Sequence, residues 1–163
     1  LGMPRDFLTQ HTTNPMVQMR LFHYPTEPPP SFTEATGLGA APHTDFGMIT
    51  LLAPDPVGGL EVRTREGAWL PAPHVPGAYV CNIGDCLMRW TNDTYVSTPH
   101  RVVNPAGRER FSIAFFLDPN PDAVVECLPT CAGPQRPARY PPISGADYLE
   151  SRLNPTYARS GLA

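Results

Sequence analysis

Eight short β-rich runs, at 17–24, 48–52, 60–64, 68–70, 78–83, 87–90, 95–103 and 110–117, constrain the fold of this chain more than any other feature. Between them lie Gly58-Gly59, Arg65-Glu66-Gly67, Gly84-Asp85 and Asn104-Pro105-Ala106-Gly107. Glycine supplies positive φ and proline withholds a backbone donor, so each cluster reverses the chain instead of extending a ladder. Strands this short, joined by turns and not by helices, predict an antiparallel all-β architecture. Helical signals are confined to the ends. Pro4 opens a short helix through Gln10, and Ser144-Gly145-Ala146-Asp147 is a capping-box-like start for a helix over 145–153.

Length and composition fit one domain over 1–163, with a core at about 17–118 and a C-terminal extension over 119–163 that carries the second helix. The 22 prolines and 13 glycines stay below the roughly 25–30% at which disorder becomes the default, and suit a loop-rich β protein. The stretch from Pro28-Pro29-Pro30 to Gly39 reads as a long loop. A formal charge of −3 lends nucleic-acid binding no support, and no apolar run is long enough to span a membrane. Cys81, Cys86, Cys127 and Cys131 lack the context of a zinc knuckle; ordinary thiols in a reduced, cytoplasmic chain are the favoured reading, with a Cys127–Cys131 disulfide left open.

The chemistry is carried by His43-Thr44-Asp45, by His100 a further 55 residues along, and by Arg110-Phe111-Ser112. Two imidazoles and a carboxylate in this order form a candidate facial triad, three ligands on one face of an octahedral iron(II) with the opposite face open. At i and i+2 of an extended chain, His43 and Asp45 point to the same side. His100 sits in "YVSTPHRVV", where Thr98 precedes proline and is biased toward extended geometry. Arg110 and Ser112 share parity, so a guanidinium and a hydroxyl face the same interior; that pair suits a carboxylate, which the arginine fork binds in a bidentate way. By the same alternation Ala114 and Phe116 face inward, while Phe111, Ile113, Phe115 and Leu117 face outward. Asn82 and Asp85 in "CNIGDC" read as turn formers.

The segments "APHTDFGMITLL", "GGLEVRTREGAWLPAP", "CNIGDCLMRWTNDTYVSTPHRVVN" and "RERFSIAFFLDPN" together resemble the catalytic region of the isopenicillin N synthase-like family of non-haem iron, 2-oxoglutarate-dependent oxygenases, from about Val17 to Pro119. The resemblance implies a double-stranded β-helix, or jelly roll. It also implies an oxidoreductase in which His43, Asp45 and His100 bind Fe(II), while Arg110 and Ser112 anchor the distal carboxylate of 2-oxoglutarate. Tyr24, in "RLFHYP", resembles the tyrosine of the family's Asn-x-Tyr-Pro element and joins that anchor, although Phe22 stands where the asparagine is usual. Phe116 matches a position where relatives place an aromatic ring against substrate.

The implied reaction is hydroxylation or desaturation of a small organic metabolite by O2, with release of succinate and CO2. Three alternatives stay open. An isopenicillin N synthase-like oxidase would use iron and O2 without 2-oxoglutarate, a zinc hydrolase would need a general base that is not identifiable, and an inactive fragment would only bind metal or small molecules. The chain begins at Leu1, and the resemblance implies a substantial N-terminal region beyond it. A piece lacking that region is expected to expose an unpaired sheet edge and apolar surface.

Overall fold

In the computed structural model, which describes residues 1–26, 38–104 and 108–160, eight strands form two four-stranded antiparallel sheets. They are β1 (Val17–Tyr24), β2 (Leu38–His43), β3 (Ile49–Ala53), β4 (Leu60–Arg63), β5 (Trp69–Pro71), β6 (Val80–Ile83), β7 (His100–Val103) and β8 (Arg110–Leu117). The sheet orders are β1-β8-β3-β6 and β2-β7-β4-β5, and the fold is a jelly roll. A small ribbon of β9 (Val124–Val125) and β10 (Ile143–Ser144) follows. The helices are α1 (Phe7–Gln10), α2 (Asp85–Trp90) and α3 (Gly145–Ser160). Ser144 caps α3 as its sequence suggests, its Oγ accepting from Asp147 N at 3.1 Å and donating to Asp147 Oδ2 at 2.7 Å.

Four expectations need correcting. The run 87–90 is helical, part of α2. Leu, Met and Arg are good helix formers, and Cys86, Leu87 and Trp90 are buried together at helical spacing; a short apolar run does not distinguish the two periods. Of 95–103 only His100–Val103 is strand. Tyr95 and Val96 are exposed, and Pro99 has no N–H for a ladder. Conversely β2 was not among the expected runs. Its sequence Leu-Gly-Ala-Ala-Pro-His has no β-branched residue, and it is held as an edge strand by irregular pairing with β7, where its proline is tolerated. Asn82 lies in β6 and not in a turn. Residues 28–37 of the expected loop and Pro105-Ala106-Gly107 of the last turn lie outside the described residues.

Strand register decides what faces inward. β1 pairs with β8 from Val17↔Leu117 to Tyr24↔Arg110, and β3 pairs with β8 so that Thr50 meets Phe116 and Leu52 meets Ala114. Between the sheets Phe22, Tyr24, Leu52 and Val80 pack against Ala40, Leu60 and Val102. The outer face of the β1-containing sheet is covered at one end only. There Ile49, Ile83 and Leu117 meet Met48, Trp90, Leu128 and Tyr148 in the larger apolar core. Toward the other end Met19 (63% exposed), Leu21 (72%), Leu51, Phe111 and Ile113 are open. Edge strand β1 is thus inverted, apolar outside and with Gln18 and Arg20 on its inward parity. All four cysteines are free, and no described helix is long and apolar enough to cross a membrane.

Candidate active site

His43 is the last residue of β2 and His100 the first of β7, and the register sets them opposite each other. Their ring centroids are 4.3 Å apart at 56°. Asp45 follows two residues beyond β2, in a loop and not on the strand itself. That loop is fastened to the start of α2. Asp85 N donates to Asp45 O at 2.8 Å, and Cys86 N donates to Phe46 O and Gly47 O at 3.1 and 3.0 Å. Beneath it Asp118 Oδ1 accepts from Met48 N at 3.1 Å, and burial pushes the Asp118 carboxyl up to about 6.

Candidate donor atoms of His43, Asp45 and His100 lie within 4.8 Å of one another. Their protonation argues for a cation. His43 Nδ1 is 2.7 Å from Ala41 O, and His100 Nδ1 is 3.1 Å from Thr98 O. A carbonyl oxygen only accepts, so each Nδ1 carries a proton, and the lone pair of the neutral ring then lies on Nε2. Burial, the largest influence on His100, holds its pKa below the ordinary value, opposed by the nearby Asp45 carboxylate and reinforced by His43. A neutral His100 then sets Nε2 against Asp45 Oδ1 at 3.7 Å, two acceptors with no proton between them. Asp45 Oδ2 is buried with no hydrogen-bond partner among the described residues. Buried acceptors left unmatched in this way are destabilising unless a cation satisfies them. Two nitrogens and an oxygen suit iron(II), and the two Nδ1–H donors already supply the outer hydrogen bonds that orient ligating histidines.

A second cluster lies on β8. Arg110 is 1% exposed, and its Nε donates to Gly58 O at 2.6 Å. That carbonyl is presented by a turn in which Gly58 and Gly59 have φ of 84° and 88°, a conformation that favours glycine. Arg110 Nη1 reaches Ser112 Oγ at 3.4 Å, and the guanidinium lies 4.6 Å from the centroid of the Tyr24 ring. Gly39 lets that ring approach, since a Cβ there would sit 2.6 Å from Tyr24 Cδ1. Among the described residues no carboxylate forms an ion pair with Arg110. Asp55 comes under its charge but uses its oxygens to accept from Val57 N and Phe111 N. A buried guanidinium without a counter-charge is costly alone, and the arrangement fits an anionic ligand.

Of the predicted site residues, the structure groups His43 with Asp45 and His100, and Arg110 with Ser112 and Tyr24. Phe116 stands farther along β8, half-buried, with Thr50 and Gln18 opposite. Two connected residues escaped the sequence reading. Asp85, taken as a turn former, is buried and accepts from Thr44 Oγ1 at 3.2 Å and Arg152 Nη2 at 2.6 Å. Arg152 of α3 also lies over Phe46, 4.9 Å from its ring centroid. The loop holding Asp45 is thereby tied to the C-terminal helix, a long-range contact with no local sequence signal.

The profile of the 2OG-Fe(II) oxygenase superfamily matches residues 15–119. A 2-oxoglutarate-Fe(II) type oxidoreductase of Emericella nidulans is 43% identical over 161 residues, covering 98% of this chain and 46% of the relative. Among solved structures, a full-length Neurospora crassa protein in complex with alpha-KG and thymine superposes with a TM-score of 0.86 at 36% identity, covering 96% of this chain and 49% of that one. JOX2 in complex with 2OG, Fe and JA gives 0.77 at 34% identity, covering 91% and 42%. The chain spans about half the length of the curated relatives it matches.

Proposed function

Because the chain belongs to the 2OG-Fe(II) oxygenase superfamily, we propose that it is an iron(II)- and 2-oxoglutarate-dependent dioxygenase that hydroxylates or desaturates a small organic metabolite. The observation that carries this reading is the donor set of His43, Asp45 and His100 within 4.8 Å, together with a buried arginine fork that pairs with no carboxylate among the described residues. Thymine and JA, found with the Neurospora crassa protein and with JOX2, are the kind of small molecule meant. The catalytic unit is the jelly roll over 17–118, with 119–163 as an extension buttressing it.

His43 and His100 offer Nε2 lone pairs, and Asp45 supplies the balancing negative charge. Iron(II) and 2-oxoglutarate, when bound there, supply the activation of O2, the keto acid leaving as succinate and CO2. Arg110 and Ser112 hold the C5 carboxylate, with the Tyr24 ring backing the guanidinium. This would fix the far end of the keto acid and limit its freedom. Tyr24, Phe22 and Leu52 keep water away from that carboxylate. Phe116 walls the substrate space. The partners are small molecules and O2, and the four free thiols support a reducing, cytoplasmic setting.

The test is anaerobic titration of the iron(II)-loaded protein with 2-oxoglutarate, followed by the visible charge-transfer band and repeated with Arg110→Ala. A saturable band that weakens in the variant is expected. Absence of the band in folded, iron-loaded protein overturns the reading in favour of an oxidase that needs no 2-oxoglutarate or of a binding module.

A further inference from the structure

We propose that Arg152 of α3 is a positioning residue for the metal centre: acting through Asp85 and Thr44 it sets the Asp45 carboxylate, and bound iron(II) in turn fastens α3 to the metal loop. The inference rests on the metal half of the oxygenase reading above and needs neither 2-oxoglutarate nor O2. The residues on either side of Asp45, and its own carbonyl, are all held from α2 and α3. Thr44, which separates His43 from Asp45, donates from Oγ1 to Asp85 Oδ2 at 3.2 Å. Asp85 N donates to Asp45 O at 2.8 Å. Phe46 lies against the Arg152 guanidinium, whose carbon is 4.9 Å from the ring centroid. Arg152 Nη2 closes the chain by donating at 2.6 Å to Asp85 Oδ2, the same oxygen that Thr44 uses. Asp45 lies beyond the end of β2, so these neighbours, and not a strand ladder, decide where its carboxylate points.

Anchoring α3 does not by itself call for this arrangement. Tyr148, one turn earlier on the same side of α3, already shares the large apolar core with Met48, Cys86 and Trp90. Arg152 has 42% of its side chain exposed, and an ion pair that open adds little to stability. Asp85 is the buried partner, with 10% of its side chain exposed, and its charge needs a counter-charge to stay within reach of Thr44. Without Arg152 the Asp85 carboxylate takes up a proton or turns toward solvent, and the bond that holds Thr44 weakens. Asp45 feels the change because its loop and the start of α2 are in close contact: a Cβ at Gly84 would sit 2.1 Å from Gly47 O and 3.2 Å from Asp45 O. Outer groups that orient metal ligands in this way alter metal affinity about ten- to a hundredfold. Coupling of this kind is reciprocal, so the factor that the Arg152 link adds to iron affinity is also the factor by which iron favours the closed link.

The probe is iron(II) alone, added anaerobically to the full chain. Affinity is read from chelator competition, and α3 is followed by hydrogen exchange with mass spectrometry. In the parent protein saturating iron(II) should slow exchange in the part of α3 around Tyr148 and Arg152 about tenfold, and Asp45→Ala should remove that response. Arg152→Gln should weaken iron(II) binding about tenfold and leave α3 exchange indifferent to metal, while Arg152→Lys, which keeps the charge, should restore part of both. Thr44→Val cuts the link without touching α3 and should behave as Arg152→Gln does; it decides the matter where Arg152→Gln does not fold. Exchange in α3 that ignores saturating iron(II), or undiminished iron(II) affinity in either folded variant, would overturn the proposal. A loss of stability with neither change marks a purely structural ion pair and overturns it as well. Iron(II) bound at the triad without the 2-oxoglutarate band sinks the oxygenase reading and leaves the role of Arg152 standing. Iron(II) that binds Asp45→Ala as tightly as the parent sinks both.

Discussion

Asp118 offers a quantitative check on how the loop bearing Asp45 is held. Its side chain is 9% exposed, and its Oδ1 accepts from the backbone of Met48, three residues after Asp45. Burial raises its pKa from 3.8 to about 6, while the Met48 hydrogen bond acts in the opposite sense. Between those values the native protein retains a proton that the unfolded chain has released. The group's contribution to stability is therefore full below pH 3.8 and is lost as pH rises through about 6. A gap of about two units corresponds to about 3 kcal/mol. Asp118→Asn keeps an oxygen for Met48 N and does not titrate. Urea unfolding of parent and variant at about pH 4, where the unfolded carboxyl is already partly ionised, and about pH 7 should show the stability difference shifting by about 2.4 kcal/mol in favour of Asn at the higher pH. His100 and the other titrating groups act on both proteins and cancel. Parallel stability profiles would refute the claim that this carboxylate is forced to ionise in a buried site.

Arg110→Lys retains the charge but loses the fork, and should weaken 2-oxoglutarate binding by about 2 kcal/mol, roughly thirtyfold, in the charge-transfer titration; undiminished affinity would remove bidentate anchoring from the account. Gly39→Ala places a Cβ 2.6 Å from Tyr24 Cδ1 and 3.2 Å from Val102 Cγ1. Overpacking of that kind should destabilise by about 1–3 kcal/mol in urea unfolding, and a neutral result would mean that the Tyr24 ring is free to move. Asp85→Asn removes the charge facing Arg152 while leaving the backbone bond to Asp45 intact. Iron(II) affinity, measured by chelator competition, should fall about tenfold, as for other groups that orient ligands, whereas unchanged affinity would make the Asp85–Arg152 link purely structural.

What the sequence made legible was the part governed by local rules. β1 and β8 fall within the expected bounds because their alternation is uninterrupted, and alternation also groups Arg110 with Ser112 and opposes them to Phe111 and Ile113. His43, Asp45 and His100 converge as their spacing suggested, since the first two need only a strand end and the third a neighbouring strand. The misreadings occurred where tertiary context outweighs propensity. Leu87 to Trp90 satisfy strand and helix periods alike, and burial of Cys86, Leu87 and Trp90 on one helical side decides between them. In β2, pairing with β7 overrides a sequence of small residues and proline. Asp85 reads as a turn residue because its partners, Thr44 and Arg152, are 41 and 67 residues away.

His43, Asp45 and His100 are expected to hold iron(II) in the same interior where Arg110 holds 2-oxoglutarate. Anaerobic crystals soaked with both ligands, with anomalous data collected at the iron edge, test this arrangement. The expected result is a single iron peak bonded to His43 Nε2, His100 Nε2 and an Asp45 carboxylate oxygen, with density for the keto acid running from the metal to the Arg110 guanidinium. A peak bound by other residues, or a keto acid whose distal carboxylate lies away from Arg110, would contradict it.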